Sequence, residues 1–326
     1  MKKVISVILS VVFLFSLLTG CSQRGKSEKS GCRVAVVQQM DHPSLDEIRT
    51  AIVARLEEIA QEKGIEIEIR EFSGQNDASM LGQIGAQVVG DKADIIIPIA
   101  TLAATSMVTA AEDTGIPIVY AAISDPETAG LTGLPNVTGT SDALNTAFIL
   151  DMMLAVNPDI QTVGLLYSNS EPNSIVPIAE AKEYLEGKGI ACLEKTGNSA
   201  DEVLAAASSL VGRVDAVFTP TDNTVMAVEG SVAEILNDAG IPHYTGADSF
   251  VQAGAFATCG VNYTELGRKT ADMAFDILSG GEVPEYHVME GGIITVNTET
   301  AAALNLDYSA FSGMAGTVKE VVTGNK

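Results

Sequence analysis

Apolar positions along this chain alternate between two patterns, short uninterrupted aliphatic runs and longer stretches with helical spacing. Val34–Val37 is a run of the first kind. Leu45 to Lys63 has apolar residues at 45, 48, 52, 53, 56, 59 and 60, and the pattern stops at Gly64. That three- and four-residue spacing with a terminal glycine predicts a helix. Ile65, Ile67 and Ile69 alternate with Glu66, Glu68 and Arg70, which predicts a half-exposed strand. A helix over 78–90, a buried strand over 94–98, a helix over 101–114 and a buried strand over 116–122 follow. Buried strands alternating with helices predict an α/β fold with parallel sheets covered on both faces.

The order then repeats. The run Val163–Leu166 corresponds to Val34–Val37, and Lys188-Gly189-Ile190 to Lys63-Gly64-Ile65. Asp215–Pro220 corresponds to Asp94–Pro98, Gly240-Ile241-Pro242 to Gly115-Ile116-Pro117, and Ala247-Asp248-Ser249 to Ile123-Ser124-Asp125. Matched segments in the same order, with spacings that differ by several residues, point to two divergent copies of one α/β lobe rather than a solenoid.

The first residues follow a different logic. Met1-Lys2-Lys3 is cationic, and Val4 to Leu18 is apolar apart from Ser6, Ser10 and Ser16. The run is short for a membrane span of about 20 residues and suits a secretory leader. It ends in Leu18-Thr19-Gly20-Cys21, which resembles the lipobox of bacterial lipoproteins, so residues 1–20 are expected to be removed and Cys21 lipidated. Residues 21–31 are polar and glycine-bearing and read as a flexible tether.

The chain of 326 residues carries a net charge of −23, and removal of Lys2 and Lys3 with a leader takes it to −25. With no Lys/Arg-rich stripe, this balance excludes nucleic acid as a partner. The 46% hydrophobic content supplies material for two cores. Cys21, Cys32, Cys192 and Cys259 show no C-x-x-C spacing, and the last three lie in or beside apolar runs, where small buried thiols are expected.

A lipobox followed by two related α/β lobes resembles the type I periplasmic binding proteins, and more narrowly the substrate-binding lipoproteins of ABC transporters, the group that includes tryptophan/tyrosine receptors. The segments that carry the resemblance are 95–105 (IIIPIATLAAT), 116–131 (IPIVYAAISDPETAGL), 136–142 (NVTGTSD), 164–174 (GLLYSNSEPNS), 216–225 (AVFTPTDNTV), 246–260 (GADSFVQAGAFATCG) and 263–271 (YTELGRKTA). It implies two Rossmann-like lobes joined by a three-crossing hinge. The crossings are expected near 138–142, 251–257 and 283–288, with glycines 139, 254 and 260 available for bending. The lobes then comprise 32–140 with 254–284, and 141–253 with 285–310, and 311–326 is left as a C-terminal tail without assignment. The resemblance also implies a monomeric extracytoplasmic receptor held to the membrane through Cys21, partnered by an ABC permease and its ATPase subunit, with no cofactor.

In open parallel sheets the binding crevice lies beyond the carboxyl ends of the strands. In the first lobe those positions hold Gln39, Thr101, Ser124 and Asp125, and in the second Ser168, Asn169, Asn173, Thr221, Asp222, Asn223 and Asp248. The set suits an α-amino acid. Thr101 opens a helix whose N–H groups favour a carboxylate, while Asp125, Asp222 and Asp248 are candidate partners for an ammonium group. Asp222 and Asp248 are the first choices, because their counterparts in the first lobe differ in type. The same residue types serve equally as helix N-caps.

Sugar or nucleoside ligands on the same scaffold are the alternative, disfavoured by the absence of Trp and aromatics at 5%. Tyr120, Tyr167 and Tyr244 sit near strand ends, where core packing competes with a role beside a ligand. No H-E-x-x-H, G-x-S-x-G, Walker A or Rossmann glycine motif is present, and no metal site is expected. A surface hydrolase would require His42 or His243 to pair with a cleft serine, and His42 reads as a solvated loop residue.

Overall fold

A computed structural model describes residues 31–324. Cys21 and the segments 1–20 and 21–30 lie outside the described residues. The first sheet is built from β1 (Cys32–Gln38), β2 (Ile67–Ser73), β3 (Ile95–Ile99), β4 (Ile118–Tyr120), β5 (Val137–Ser141) and a late strand β11 (His287–Val288). The second contains β6 (Thr162–Tyr167), β7 (Ala191–Thr196), β8 (Ala216–Thr219), β9 (His243–Thr245), β10 (Ala257–Gly260), β12 (Ile293–Asn297) and β13 (Thr317–Val321). The orders are β11-β5-β4-β3-β1-β2 and β13-β12-β10-β9-β8-β6-β7.

Strands β1 to β5 and β6 to β10 therefore share the doubly wound order 2-1-3-4-5, the topological form of the repeat in the sequence. Every pair in the first sheet is parallel. The second sheet adds one antiparallel pair, β10 with β12, and β13 then runs parallel to β12. Central strands such as β3 are wholly buried, as their unbroken aliphatic runs require, whereas β2 and β7 at the sheet edges alternate.

Twelve helices connect these strands among the described residues. In the first lobe these are α1 (Pro43–Lys63), α2 (Ala78–Gly90) and α3 (Thr101–Ala111). The second lobe has α4 (Thr146–Val156), α5 (Pro172–Gly187), α6 (Ala200–Leu210), α7 (Asn223–Met226), α8 (Glu229–Asp238) and α9 (Asp248–Gln252). The rest are α10 (Tyr263–Leu278), α11 (Thr298–Ala303) and α12 (Phe311–Met314). Helix α1 buries Leu45, Ile48, Ile52, Leu56 and Ile59 along one stripe. It ends at Gly64, whose φ of 63° lets Ile65 N–H bond back to Ala60 O. Ile65 is thereby part of the helix stop, so β2 begins at Ile67 rather than at Ile65.

Helix α10 returns to the first lobe and packs on α1. Gly267 makes the close approach possible, since a Cβ there would lie 2.6 Å from Ile48 O. The chain crosses between lobes after β5, after β10 and after β11, at about residues 142–145, 261–262 and 289–292. Each crossing lies a few residues beyond its expected place, because the strand preceding it is completed in its own sheet first. Residues 257–260, expected with the first lobe, form β10 of the second sheet, and 287–288, expected with the second lobe, pair with β5 of the first. Gly139 lies inside β5, where a Cβ would meet Tyr120 O at 2.1 Å, so it permits strand packing and not hinge bending. The segment from 311 is part of the second lobe: Phe311 is buried and β13 extends the sheet.

Candidate functional site

The reversal of strand order in each sheet, between β1 and β3 and between β6 and β8, leaves a crevice beyond the strand ends. The two crevices face one another across a narrow cavity between the lobes. From the first lobe it is lined by His42, Ser44 and Leu45 at the start of α1, and by Ala100 and Thr101 at the start of α3. Ala122, Ser124 and Asp142 follow from the ends of β4 and β5. The second lobe contributes Asn173, Thr221, Asp222, Asn223 and Met226. Ala247, Ser249 and Phe250 close the hinge side together with Tyr263 of α10.

The lobes touch directly at the cavity and behind it. Ser124 Oγ and Thr221 Oγ1 are 3.1 Å apart, and His42 Nε2 and Asn223 Oδ1 are 3.0 Å apart. Gln39 Nε2 donates to Glu171 at 3.3 Å, and Asn76 Nδ2 donates to Thr224 Oγ1 at 3.3 Å. Four contacts of this kind describe a closed arrangement of the two lobes.

No Lys or Arg is among the cavity-lining residues, and two carboxylates are. Asp142 accepts hydrogen bonds from Ser124 Oγ at 3.1 Å and from the Tyr263 hydroxyl at 3.2 Å. Burial without a cationic partner pushes its pKa above the usual carboxylate range. Asp222 is committed differently. It caps α7 through Val225 N–H at 2.9 Å and also accepts from Ser168 N–H and Ser174 Oγ, both at 2.7 Å. Burial raises its pKa while these bonds oppose the rise.

Three buried polar atoms of lining residues have no protein partner: His42 Nδ1, Ser44 Oγ and Asn173 Oδ1. Buried polar atoms are almost always paired, so three at one cavity mark a surface shaped for a polar molecule. The N-cap residues of α1 and α3, His42 and Ala100, bond no N–H of their own helices through a side chain; Gln39 Oε1 takes Leu102 N–H of α3, and the remaining N-terminal N–H groups attract anions. Backbone strain collects at the same place. Ala100 has φ 73° and ψ 162°, and Ala122 has φ 57°, both in the region that favours glycine.

Of the residues singled out from the sequence, Thr101, Ser124, Asn173, Thr221, Asp222 and Asn223 meet at the cavity. The others are placed elsewhere. Gln39 is buried behind the cavity, between Leu102 N–H, Asn76 and Glu171. Ser168 supports Asp222 and bonds to Asn198. Asp125 caps a turn through Thr128 N–H and Oγ1, both at 2.9 Å. Asn169 is exposed and bonds Thr196. Asp248 pairs with Lys319 at 3.5 Å in a separate recess beside Glu47, so its carboxylate has a cation already. Tyr120 and Tyr244 are core residues, and the Tyr167 hydroxyl donates to Glu194.

Ser44, Asp142, Phe250 and Tyr263 are cavity residues that the sequence does not single out, and His42, expected as a solvated loop residue, has a buried ring at the cavity because it meets Asn223 of the other lobe. His42-Pro43 at a helix start is the one local signal, because a proline at the first helical position leaves the preceding residue as N-cap. Glu171, also missed, is buried at the start of α5 and accepts from Gln39, Asn223 and Thr224. Burial first, and the Asp222 charge second, raise its pKa to about 7. His243 is buried away from the cavity. Its ring nitrogens lie 3.0 Å from Glu229 Oε1 and 2.8 Å from Thr219 Oγ1, and neither imidazole pairs with a cleft serine.

Comparison with known proteins agrees with this architecture. A tyrosine-binding protein of Clostridioides difficile is 32% identical over 323 residues, covering 94% of this chain and 93% of that protein. The solved structure of an ABC domain from Streptococcus pneumonia in complex with L-Trp is 29% identical, covers 89% of this chain and 100% of that one, and superposes with a TM-score of 0.83. The ligand-free, open structure of a substrate-binding protein with adhesive properties from Clostridium difficile is 33% identical. It covers 90% of this chain and 99% of its own, with a TM-score of 0.67. The chain thus superposes better on the L-Trp complex than on the open form, although its sequence is nearer the latter, in keeping with lobes that touch across the cavity. Residues 33–311 match the model of the ABC transporter substrate binding protein family, and the chain belongs to that family.

Proposed function

We propose that the protein is an extracytoplasmic receptor that closes around a single amino acid and presents it to an ABC permease and its ATPase. The observation that carries this reading is the pairing of opposite chemistries in one closed cavity. Asp142, buried without a cation, provides the partner for an ammonium group. The start of α3, with Thr101 and the N–H groups that Gln39 does not occupy, provides N–H and hydroxyl donors for a carboxylate. Leu45, Met226 and Phe250 supply apolar surface for a side chain. The tyrosine-binding relative and the L-Trp complex support an aromatic amino acid as the solute.

In this reading Cys21 carries the lipid that holds a monomeric receptor at the outer face of the cell membrane, and intact mass measured from cells tests that anchor. Among the described residues no helix is long and apolar enough to cross a membrane. Isothermal calorimetry against the common L-amino acids tests the solute class. Tyrosine or tryptophan is expected to give the strongest heat. Absence of heat with every amino acid, or heat with a sugar or nucleoside, overturns the assignment.

A further inference from the structure

Behind the cavity the hydrogen bonds run in one direction, and that direction ends at His42. Leu102 N–H can only donate, and it donates to Gln39 Oε1 at 3.0 Å. Gln39 must then turn its Nε2 toward Asn76 Oδ1 at 2.8 Å and toward Glu171 at 3.3 Å. Asn76 in turn presents Nδ2 to Thr224 Oγ1 at 3.3 Å. That directs the Thr224 hydroxyl hydrogen onto Glu171 Oε1 at 3.1 Å. Above its pKa of about 7 Glu171 is ionised and can only accept, which makes it the common acceptor. Asn223 obeys the same constraint: its Nδ2 donates to Glu171 Oε2 at 2.9 Å, so its Oδ1 accepts from His42 Nε2 at 3.0 Å.

The proton of a neutral His42 is therefore held on Nε2, and Nδ1 keeps its lone pair. Nδ1 is out of solvent without a protein partner, on a residue that lines the cavity. Burial of the ring also lowers its pKa from the ordinary histidine value, which keeps it uncharged, although the Asn223 bond and the charges of Asp46 and Asp41 oppose the shift.

We infer that His42 is a specificity-determining residue, whose Nδ1 accepts a hydrogen bond from an O–H or N–H of the bound solute. A carboxylate at this point would set lone pair against lone pair, which leaves the carboxylate to the start of α3. Solutes without a donor here leave a buried acceptor unpaired, and sites built to hydrogen-bond a ligand group reject analogues that lack it. The donor is either a side-chain group, such as a phenol or indole, or the α-ammonium. The choice of probes rests on the amino-acid reading above.

Two measurements decide the matter. Nitrogen-15 NMR of the histidine-labelled protein near pH 8, with His42→Gln identifying the signal, reads the ring without reference to any solute. An unprotonated Nδ1 is expected, and a protonated Nδ1 overturns the inference. Calorimetry then compares L-tyrosine with L-phenylalanine and with 3-(4-hydroxyphenyl)propionate, on the wild type and on His42→Leu, whose folding is checked by thermal denaturation. The wild type is expected to prefer tyrosine over one analogue by about 100-fold or more, and His42→Leu to reduce that preference below about 5-fold. Loss against phenylalanine identifies the phenolic O–H as the donor, and loss against the propionate identifies the ammonium. Unchanged preferences in His42→Leu and in His42→Gln overturn the inference. If the wild type binds no amino acid, tryptophan included, the amino-acid reading falls, and the NMR measurement still decides the state of Nδ1.

Discussion

The Tyr263 hydroxyl donates to Asp142 Oδ2 at 3.2 Å, joining the residue just beyond the first interlobe crossing's strand to the first residue of the helix that follows the second. The same carboxylate reaches the cavity, so the hinge and the proposed ammonium site share one group. Asp142→Asn is expected to weaken amino-acid binding about 10- to 100-fold, the worth of a hydrogen bond to a charged group. Thermal stability is expected to stay level or rise, because a buried charge without a cation is removed. Calorimetry and a melting curve on one sample check both, and unchanged affinity would remove Asp142 from the site.

Asp222 is expected to behave in the opposite way. From the sequence it was a first-choice ligand for the ammonium group, yet its oxygens are occupied by Val225 N–H, Ser168 N–H and Ser174 Oγ. Asp222→Ala removes a buried cap and leaves those donors unpaired, at a cost of about 2–4 kcal/mol. A fall in Tm of several degrees is the expected result. Full stability with lost affinity would restore Asp222 as a direct ligand.

Glu171 gives stability a pH dependence of definite sign. Its pKa is raised in the folded protein, by burial and then by Asp222, to about 7 from the ordinary carboxylate value of 4.5. A raised carboxylate contributes stability that is present below the unfolded pKa and is lost as pH rises through the folded one. Glu171→Gln lacks this titration. The Tm of the variant minus that of the wild type is expected to increase between about pH 5 and about pH 8. A constant difference across that window, measured by thermal denaturation, would contradict the account.

Ala100 offers a test of strain. Its φ of 73° and ψ of 162° belong to a region open essentially to glycine alone. Relief of about 1–3 kcal/mol of strain outweighs the roughly 0.5–1 kcal/mol that glycine's freedom costs. Ala100→Gly is therefore expected to raise Tm by a few degrees, whereas Ala100→Val lowers it. A destabilised glycine variant would show that the alanine methyl, at the cavity edge, contributes packing that exceeds the strain.

The lobes and the position of the cleft were legible because they depend on period and order. Val34–Val37 and Val163–Leu166 became β1 and β6, in sheets with matching strand order. The polar residues after β3 and β8 reached the cavity because strand ends in doubly wound sheets converge there. Individual roles were less legible, since the same residue types cap helices and bind ligands. Asp248 failed as a candidate because Lys319, 71 positions later and on a strand that period alone did not reveal, stands beside it. Asp142 is legible in the sequence only as a hinge residue, because its meeting with Tyr263 spans 121 positions. His42 acquires its significance from Asn223 in the other lobe, a contact across 181 positions.

In the proposed complex one amino acid is enclosed between the lobes with its ammonium on Asp142 and its carboxylate at the start of α3. A crystal structure of the complex with the amino acid that calorimetry finds tightest tests this most directly. The predicted result is a ligand nitrogen within hydrogen-bond reach of Asp142 and carboxylate oxygens at Thr101. A ligand bound outside this cavity, or inside it with the carboxylate against Asp142, would contradict the account.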